Sequence, residues 1–364
     1  MDRFRGMGEN FPQLGEVIGL INFADPDKLC ARMYEQEKPG DIHGCNSRSC
    51  CIQLPVVFWH GRSFNLVTFG LFAALGSFAG YSIFLYFIYT RGFPVSKSCW
   101  EMVLVFVLIN LVFAKFFSIL TIGIPEFFKH FRLHLNQTSF YQQGGVIGMI
   151  LGTIVVCSLE GIPLATLGDA VCFGGIVTMF IGRLGCFNYG CCTGKPTHSR
   201  VGLIYRDPDA RVSREHPELR NVPLIPVQLI SATVDLALFI LFCILSIYLP
   251  YTGVIMIVFF IGINIKRMAL QPFRYKASSN KISYTWVAFI LILIFFLIIL
   301  FASRSGASFF SFELPVVPFN IQTYAEFLVS DWNVAGSIIL GGAINFVAYG
   351  IHGRQLGTHF NLTP

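Results

Sequence analysis

Charge is scarce in this 364-residue chain: 13% of its residues are charged, against 54% that are hydrophobic. A soluble protein of that length would form two or three domains with charged surfaces, and this composition excludes one. The basic excess is small, formally +6, and it lies in loops. There is no basic block of the kind that grips nucleic acid, so the charge reads as facing lipid headgroups. Residues 1–28 lack the uninterrupted apolar core of a signal peptide, which leaves the first spanning helix as the expected insertion signal. Cysteines number eleven, an odd count that forbids complete pairing. Cys30, Cys45, Cys50 and Cys51, with His43 and His60, match no established zinc spacing, and a disulfide or a metal site there stays open. Cys157, Cys172 and Cys243 sit in apolar runs and read as small packing residues.

Long uncharged stretches are what the chain has in abundance, and several reach the roughly 20 residues that cross a bilayer. They predict an all-α, polytopic membrane bundle of about seven spans. These are residues 63–90, 102–124 (interrupted by Lys115), 144–159, the run ending near Gly182, one within 223–249, one within 254–265, and 284–302. A glycine-rich stretch, 334–351, is an eighth span or a re-entrant segment. The expected organisation is a polar extension over 1–62, a transmembrane core over 63–303 and a C-terminal segment over 304–364. Gly148 and Gly152 are spaced for close helix contact. Loop arginines and lysines collect on one face. The positive-inside rule would make that face cytoplasmic, whereas a surface binding anionic lipid has the same composition, so the sequence leaves orientation open.

The densest chemistry lies in residues 181–197, IGRLGCFNYGCCTGKPT. Gly182, Gly185, Gly190 and Gly194 read as a sharply bending segment where a membrane helix ends. Arg183 stands beside an apolar run, where a permanent cation needs an anion, and a lipid phosphate is the anion at that depth. Snorkelling to the headgroups is the plainer reading. Lys115, Asp169, Asp235, Lys266 and Arg267 are further charges in or next to spans. Structural pairing, such as Asp169 with Lys115 or an arginine, competes with function for each. Arg183 and Arg267 end spans on the same expected face, Arg274 follows seven residues later, and Lys195 is a candidate third donor to a phosphodiester. Cys186, Cys191 and Cys192 lack a histidine or carboxylate to complete a metal site, His198 aside, and no metal is expected.

These pieces together resemble the prolipoprotein diacylglyceryl transferase family over about residues 65–274. Asp169, then Gly182-Arg183-Leu184-Gly185-x-Phe187, then Gly190-x-x-x-Gly194-Lys195-Pro196-Thr197 is similar to the family's arginine motif. Residues 139–145, SFYQQGG, resemble its His-Gly-Gly segment, and Pro226-Val227-Gln228-Leu229 its His-Pro-Ser-Gln-Leu-Tyr segment. Residues 267–274, RMALQPFR, resemble its Arg-x-x-x-Glu-x-x-Arg helix end. Lys115 stands at a family arginine and Phe69-Gly70 at a Tyr-Gly pair. The resemblance implies transfer of diacylglycerol from phosphatidylglycerol to the lipobox cysteine of a prolipoprotein, in a bacterial inner membrane and without a soluble cofactor. It implies that Arg183 and Arg267 hold the phosphate. Gly144 and Gly145 would let the headgroup approach the backbone, with Gln143, Lys115, Cys186, Asn188, Lys195, Gln271 and Arg274 completing the site.

The departures are chemical. Gln143 replaces the motif histidine and cannot act as a base, Gln271 replaces a glutamate, and Phe69 lacks a phenol. Cys186 and Cys191 stand at a family asparagine and glutamate. Cations and glycines persist while proton acceptors are lost. Cys191, flanked by Arg183 and Lys195, is the expected replacement: a thiolate of lowered pKa serving as nucleophile or base. A vicinal disulfide or inert packing of Cys191 and Cys192 is the competing reading. A related glycerolipid transferase with a small-molecule or glycan acceptor, or a non-catalytic phospholipid-binding protein, would use the same cations.

Overall fold

The computed structural model describes residues 54–122, 128–138, 140, 142–199, 201–248, 252–275 and 321–359. The expected span at 284–302 and the leader with Cys30, Cys45, Cys50 and Cys51 lie outside these residues. Among the described residues the long helices are α1 (Thr68–Thr90), α2 (Val95–Ile122), α4 (Gln142–Glu160), α5 (Leu164–Tyr189), α7 (Val227–Tyr248), α8 (Val254–Leu270) and α10 (Trp332–Gly350). Short helices α3 (Phe131–Asn136), α6 (Arg211–Glu215) and α9 (Ile321–Ser330) connect them. All the long helices except α4 are long and apolar enough to cross a membrane, and the apolar part of α4, Gly144–Glu160, is shorter. The protein is a polytopic helical membrane protein.

Helix α5 is the axis of the bundle, touching α1, α4, α7 and α8. Its apolar window is 61% buried, against 22% for α7, so α7 has far more surface to give to lipid. Small residues let the axis be approached closely. A Cβ on Gly174 of α5 would collide with the Gly80 carbonyl of α1, and one on Gly148 of α4 would lie 2.8 Å from the Cα of Asn110 in α2. Thr178 spans the same α1–α5 contact by donating to the Gly76 carbonyl at 3.0 Å. Close backbone approach replaces the hydrophobic drive that is missing between helices in lipid. Helix α10 seals the other side of α1 and packs on α2.

One end of the bundle carries a polar cap. Strands β1 (Val57–His60), β2 (Phe64–Val67) and β5 (Ile351–Gly353) form an antiparallel sheet that joins the entry to α1 with the exit from α10. Residues 190–226 add β3 (Leu203–Ile204) paired with β4 (Pro223–Leu224). Val67, Tyr205, Leu219 and Leu224, all fully buried, form the core beneath. Arg214 ties the cap together, donating to the carbonyls of Asp209 and Leu356 and to the Tyr189 hydroxyl at 2.7–3.0 Å. The cap-side ends of α5, α7 and α8 therefore meet one fixed polar surface.

Several boundaries differ from those read in the sequence: residues 64–67, read as the start of the first span, are strand β2, and α2 begins at Val95 rather than at 102. Helix α5 does not stop at Gly182 but runs on to Tyr189, because Gly182 and Gly185 lie in a helix whose neighbours tolerate them. Only Gly190 has the positive φ of a helix terminator, +74°. Helix α8 likewise continues past 265 to Leu270, which puts Lys266 and Arg267 on a helix rather than after one.

The α1–α5 contact can be tested by adding one methyl group. Gly174→Ala should lower stability by about 1–3 kcal/mol, the usual cost of overpacking. Gly182→Ala, with nothing within 4 Å of its Cβ position, should be neutral or stabilising by up to about 1 kcal/mol. Thermal unfolding in detergent reads both; equal midpoints for the two variants would contradict this packing.

Candidate active site

Four helix ends and one loop converge where the bundle meets the cap. Arg183 lies six residues before the end of α5, so it sits about 9 Å below that end at 1.5 Å per residue. Lys266 and Arg267 lie in the last turn or so of α8, and Val227, Gln228 and Ser231 in the first turns of α7. With Gln142, Leu270, Cys192 and Arg274 these residues line a half-open cleft of about 340 Å³, mouth included. No carboxylate is among the lining residues. Four cations, Arg183, Lys266, Arg267 and Arg274, share the space.

The loop after α5 is built to bring Arg274 there. The Lys195 N–H donates to the Phe273 carbonyl at 2.9 Å and the Tyr275 N–H to the Thr193 carbonyl at 3.0 Å. The Ile225 N–H donates to the Lys195 carbonyl at 2.9 Å, so the loop is stitched to both the end of α8 and the start of α7. Gly194 is required at this seam, since a Cβ would collide with the Ile225 carbonyl. A single 3₁₀ turn, Gln271–Phe273, with Pro272 inside it, rotates Arg274 onto the same face as Arg267.

Arg183 donates from Nη2 to the side-chain oxygen of Gln142. Asp235 of α7 and Lys266 of α8 form a fully buried ion pair behind it. A buried pair is held by geometry rather than by large net energy, and removing one partner strands the other charge. Its place here is to fix α7 against α8 while neutralising one of the four cations. Gln228, 1% exposed, donates to the Cys191 carbonyl at 2.8 Å and reaches the Tyr205 hydroxyl at 3.2 Å. It holds the cysteine loop in place.

The thiols of Cys186, Cys191 and Cys192 lie within 4.8 Å of one another. Cys192 is exposed and lines the cleft, with Cys186 and Cys191 half-buried behind it. Cys191 was the expected thiolate, whereas the cleft is lined by its neighbour Cys192. Hydrogen bonds to Cys186 and Cys192 push the Cys191 thiol well up. Cys192 is held well below the usual thiol range by hydrogen bonds from Cys186 and Cys191, with Arg274 and Arg183 adding to the effect. Of the two adjacent cysteines, Cys192 is the one that lines the cleft.

Of the remaining residues singled out in the sequence, several have other work. Lys115 donates to the Gln137 carbonyl and lies 5.9 Å from the Phe140 ring, anchoring the segment after α3. Gly144 packs on the Phe113 backbone and Gly145 on Asn110, which donates to the Gly145 carbonyl at 3.1 Å, so both serve the α2–α4 contact. Asn188 is buried and accepts the Leu54 N–H at 2.8 Å. Lys195 is exposed outside the cleft lining. Gln271 turns a buried side-chain oxygen inward without lining the cleft. The side chain of Gln143 lies outside what the structure describes, and its neighbour Gln142 makes the contact to Arg183. Asp169 makes no salt bridge with Lys115; it interacts electrostatically with Arg91, and its carboxylate accepts the N–H groups of Gly253 and Met256 at 2.7 and 2.9 Å, capping the start of α8.

Residues 55–302, well over half of the chain, match the family model described as prolipoprotein diacylglyceryl transferase. The chain belongs to the prolipoprotein diacylglyceryl transferase family. Among curated relatives, phosphatidylglycerol–prolipoprotein diacylglyceryl transferase 2 of Clostridium perfringens is 35% identical over 100 residues, covering 27% of this chain and 36% of that protein. Phosphatidylglycerol–prolipoprotein diacylglyceryl transferases of Rhodospirillum rubrum and Clostridium tetani are 29% and 30% identical over 137 and 104 residues. These alignments cover 36% and 28% of this chain, and 46% and 39% of the two relatives. The chain thus spans less than half the length of each of these relatives.

Gln142, Gln228, Ser231 and the Asp235–Lys266 pair were not foreseen as parts of one site. The opposite charges of Asp235 and Lys266, on adjacent spans, were the signal for that pair. Asp235→Asn should destabilise the protein by about 3–5 kcal/mol, because Lys266 is left buried without its partner. Asp235→Leu combined with Lys266→Met should recover most of that loss in the same detergent melt. A double variant no better than the single would show that the pair does not act as a unit.

Proposed function

We propose that this protein is a phospholipid-dependent transferase of the bacterial inner membrane, moving diacylglyceryl from phosphatidylglycerol to the cysteine thiol of a prolipoprotein. The observation that carries the reading is the cleft that Arg183, Arg267 and Arg274 share at the ends of apolar helices, with no carboxylate in its lining. A phosphodiester is the anion of a membrane's margin, and guanidinium groups bind it in bidentate fashion. The half-open shape lets a lipid slide in sideways from the bilayer while its chains stay beside the exposed flank of α7.

The chemistry follows from where charge develops. The acceptor thiolate attacks a glycerol carbon, a C–S bond forms, and the C–O bond to phosphate breaks. The electron pair leaves with glycerol phosphate. Cations already in place stabilise that growing negative charge without reorganising, and they act more strongly where water is excluded. Arg183 and Arg267 hold the phosphate; Arg274, beside Cys192, faces the side from which a thiol arrives.

Arg183→Ala should lower transfer at least about 100-fold, the scale for loss of one fixed charge-stabilising donor, with the protein still folded. The measurement is lipidation of a lipobox peptide by the purified chain in phosphatidylglycerol nanodiscs. Wild-type protein that binds phosphatidylglycerol yet yields no lipidated peptide would overturn the acceptor assignment. Lipidation undiminished in Arg183→Ala would overturn the site.

A further inference from the structure

We propose that Cys186, Cys191 and Cys192 form a three-thiolate site for a soft divalent cation of the zinc class, with its fourth coordination position open to the arginine cleft. The sequence alone offers no fourth ligand at useful spacing, and the fold shows why none is needed from the protein. The three sulfur atoms come from the last turn of α5 and the two residues after Gly190, and all lie within 4.8 Å of one another. Tetrahedral zinc with Zn–S bonds of about 2.3 Å requires sulfurs about 3.8 Å apart. The cluster therefore needs a contraction of at most about 1 Å, within the reach of side-chain rotation.

The backbone is set for convergence. Cys192 has φ +57°, in the left-handed region that is strained for a non-glycine residue. That conformation persists because the loop is pinned on both sides. The Cys191 N–H donates to the Cys186 carbonyl at 3.2 Å, Gln228 donates to the Cys191 carbonyl, and Tyr275 donates to the Thr193 carbonyl. The result turns adjacent cysteines toward one point, together with the cysteine from the last turn of the helix.

The donor set selects the metal. Three thiolates and no carboxylate exclude magnesium and calcium, which take oxygen ligands. A divalent ion with three thiolates carries one net negative charge, and Arg183 and Arg274 on the cleft side favour that anionic complex. Three protein ligands with one vacant position is the arrangement of reactive zinc centres, whereas structural centres close with four. Cys192 is the exposed member, so the vacant position faces the cleft, where an entering thiol would bind as thiolate and release its proton to water. The site stands whether or not the protein transfers lipid, since metal content is read without turnover.

The full-length chain, purified under reducing conditions in detergent, is to be loaded with zinc, dialysed and assayed for metal by elemental mass spectrometry. It is also to be reconstituted with cobalt(II) alone. The expected result is one equivalent of zinc and a thiolate-to-cobalt charge-transfer band in the near ultraviolet. Both should be lost, or weakened at least tenfold in affinity, in Cys186→Ser, Cys191→Ser and Cys192→Ser, and kept in Cys157→Ser. Adding 2-mercaptoethanol should shift the visible cobalt bands of the wild type. Cys192 is exposed, so its variant keeps the fold and decides the matter even if Cys186→Ser does not fold. A reduced wild type without a cobalt band, metal retained in Cys192→Ser, or an intact mass lower by two hydrogens with Cys186 crosslinked to Cys191 would each overturn the site.

Discussion

An excess of fixed positive charge at the margin of a membrane is the constraint on which this structure turns. Four cations line one cleft, and Asp235, the carboxylate that answers them, sits behind it and is committed to Lys266. Guanidinium groups beside low-dielectric helices repel one another strongly unless an anion joins them. A lipid phosphate is present at that depth at effectively constant concentration. In the proposed function, the membrane lipid supplies the anion that joins these cations.

The rest of the fold holds those charges still. Helix α5 is gripped on several sides by close glycine contacts, so Arg183 has little freedom to swing away. The α7–α8 hairpin is fixed at one end by Asp169 capping α8 and near the other by the Asp235–Lys266 pair. The cap loop then sets Arg274 against Cys192. Rigid placement of charge before the reaction is what makes electrostatic stabilisation effective. In the proposed metal complex, the net negative charge of three thiolates and a divalent ion would be balanced by the same arginines proposed to hold the lipid.

Much of this was legible in the residues. Uncharged runs marked the spans because desolvating a charge in lipid is costly. Arg183 and Arg267 could be placed together because each stood near the end of a run on the same expected side. The end of α5 was not legible: Gly182 and Gly185 look like a turn in isolation, and only packing against neighbouring helices makes a glycine-rich stretch helical. Gly144 and Gly145 could not be told from headgroup-contacting glycines, since close approach to a lipid and to Phe113 leave the same mark in sequence. Lys195 and Arg274 are equally basic, but Lys195 follows buried Gly194 in an extended segment and projects outward, while a 3₁₀ turn brings Arg274 in. That Cys192 rather than Cys191 lines the cleft goes with a left-handed backbone at Cys192, which residue order does not reveal.

The central claim is that Arg183 and Arg267 grip one phosphate. A cryo-electron microscopy structure of the protein in phosphatidylglycerol nanodiscs tests it most directly. The account predicts headgroup density in the cleft with phosphate oxygens at about 2.7–2.9 Å from both guanidiniums, the distance of charge-assisted hydrogen bonds. A lipid phosphate seated outside the cleft, or bound by one arginine while the other turns away from it, would contradict the account.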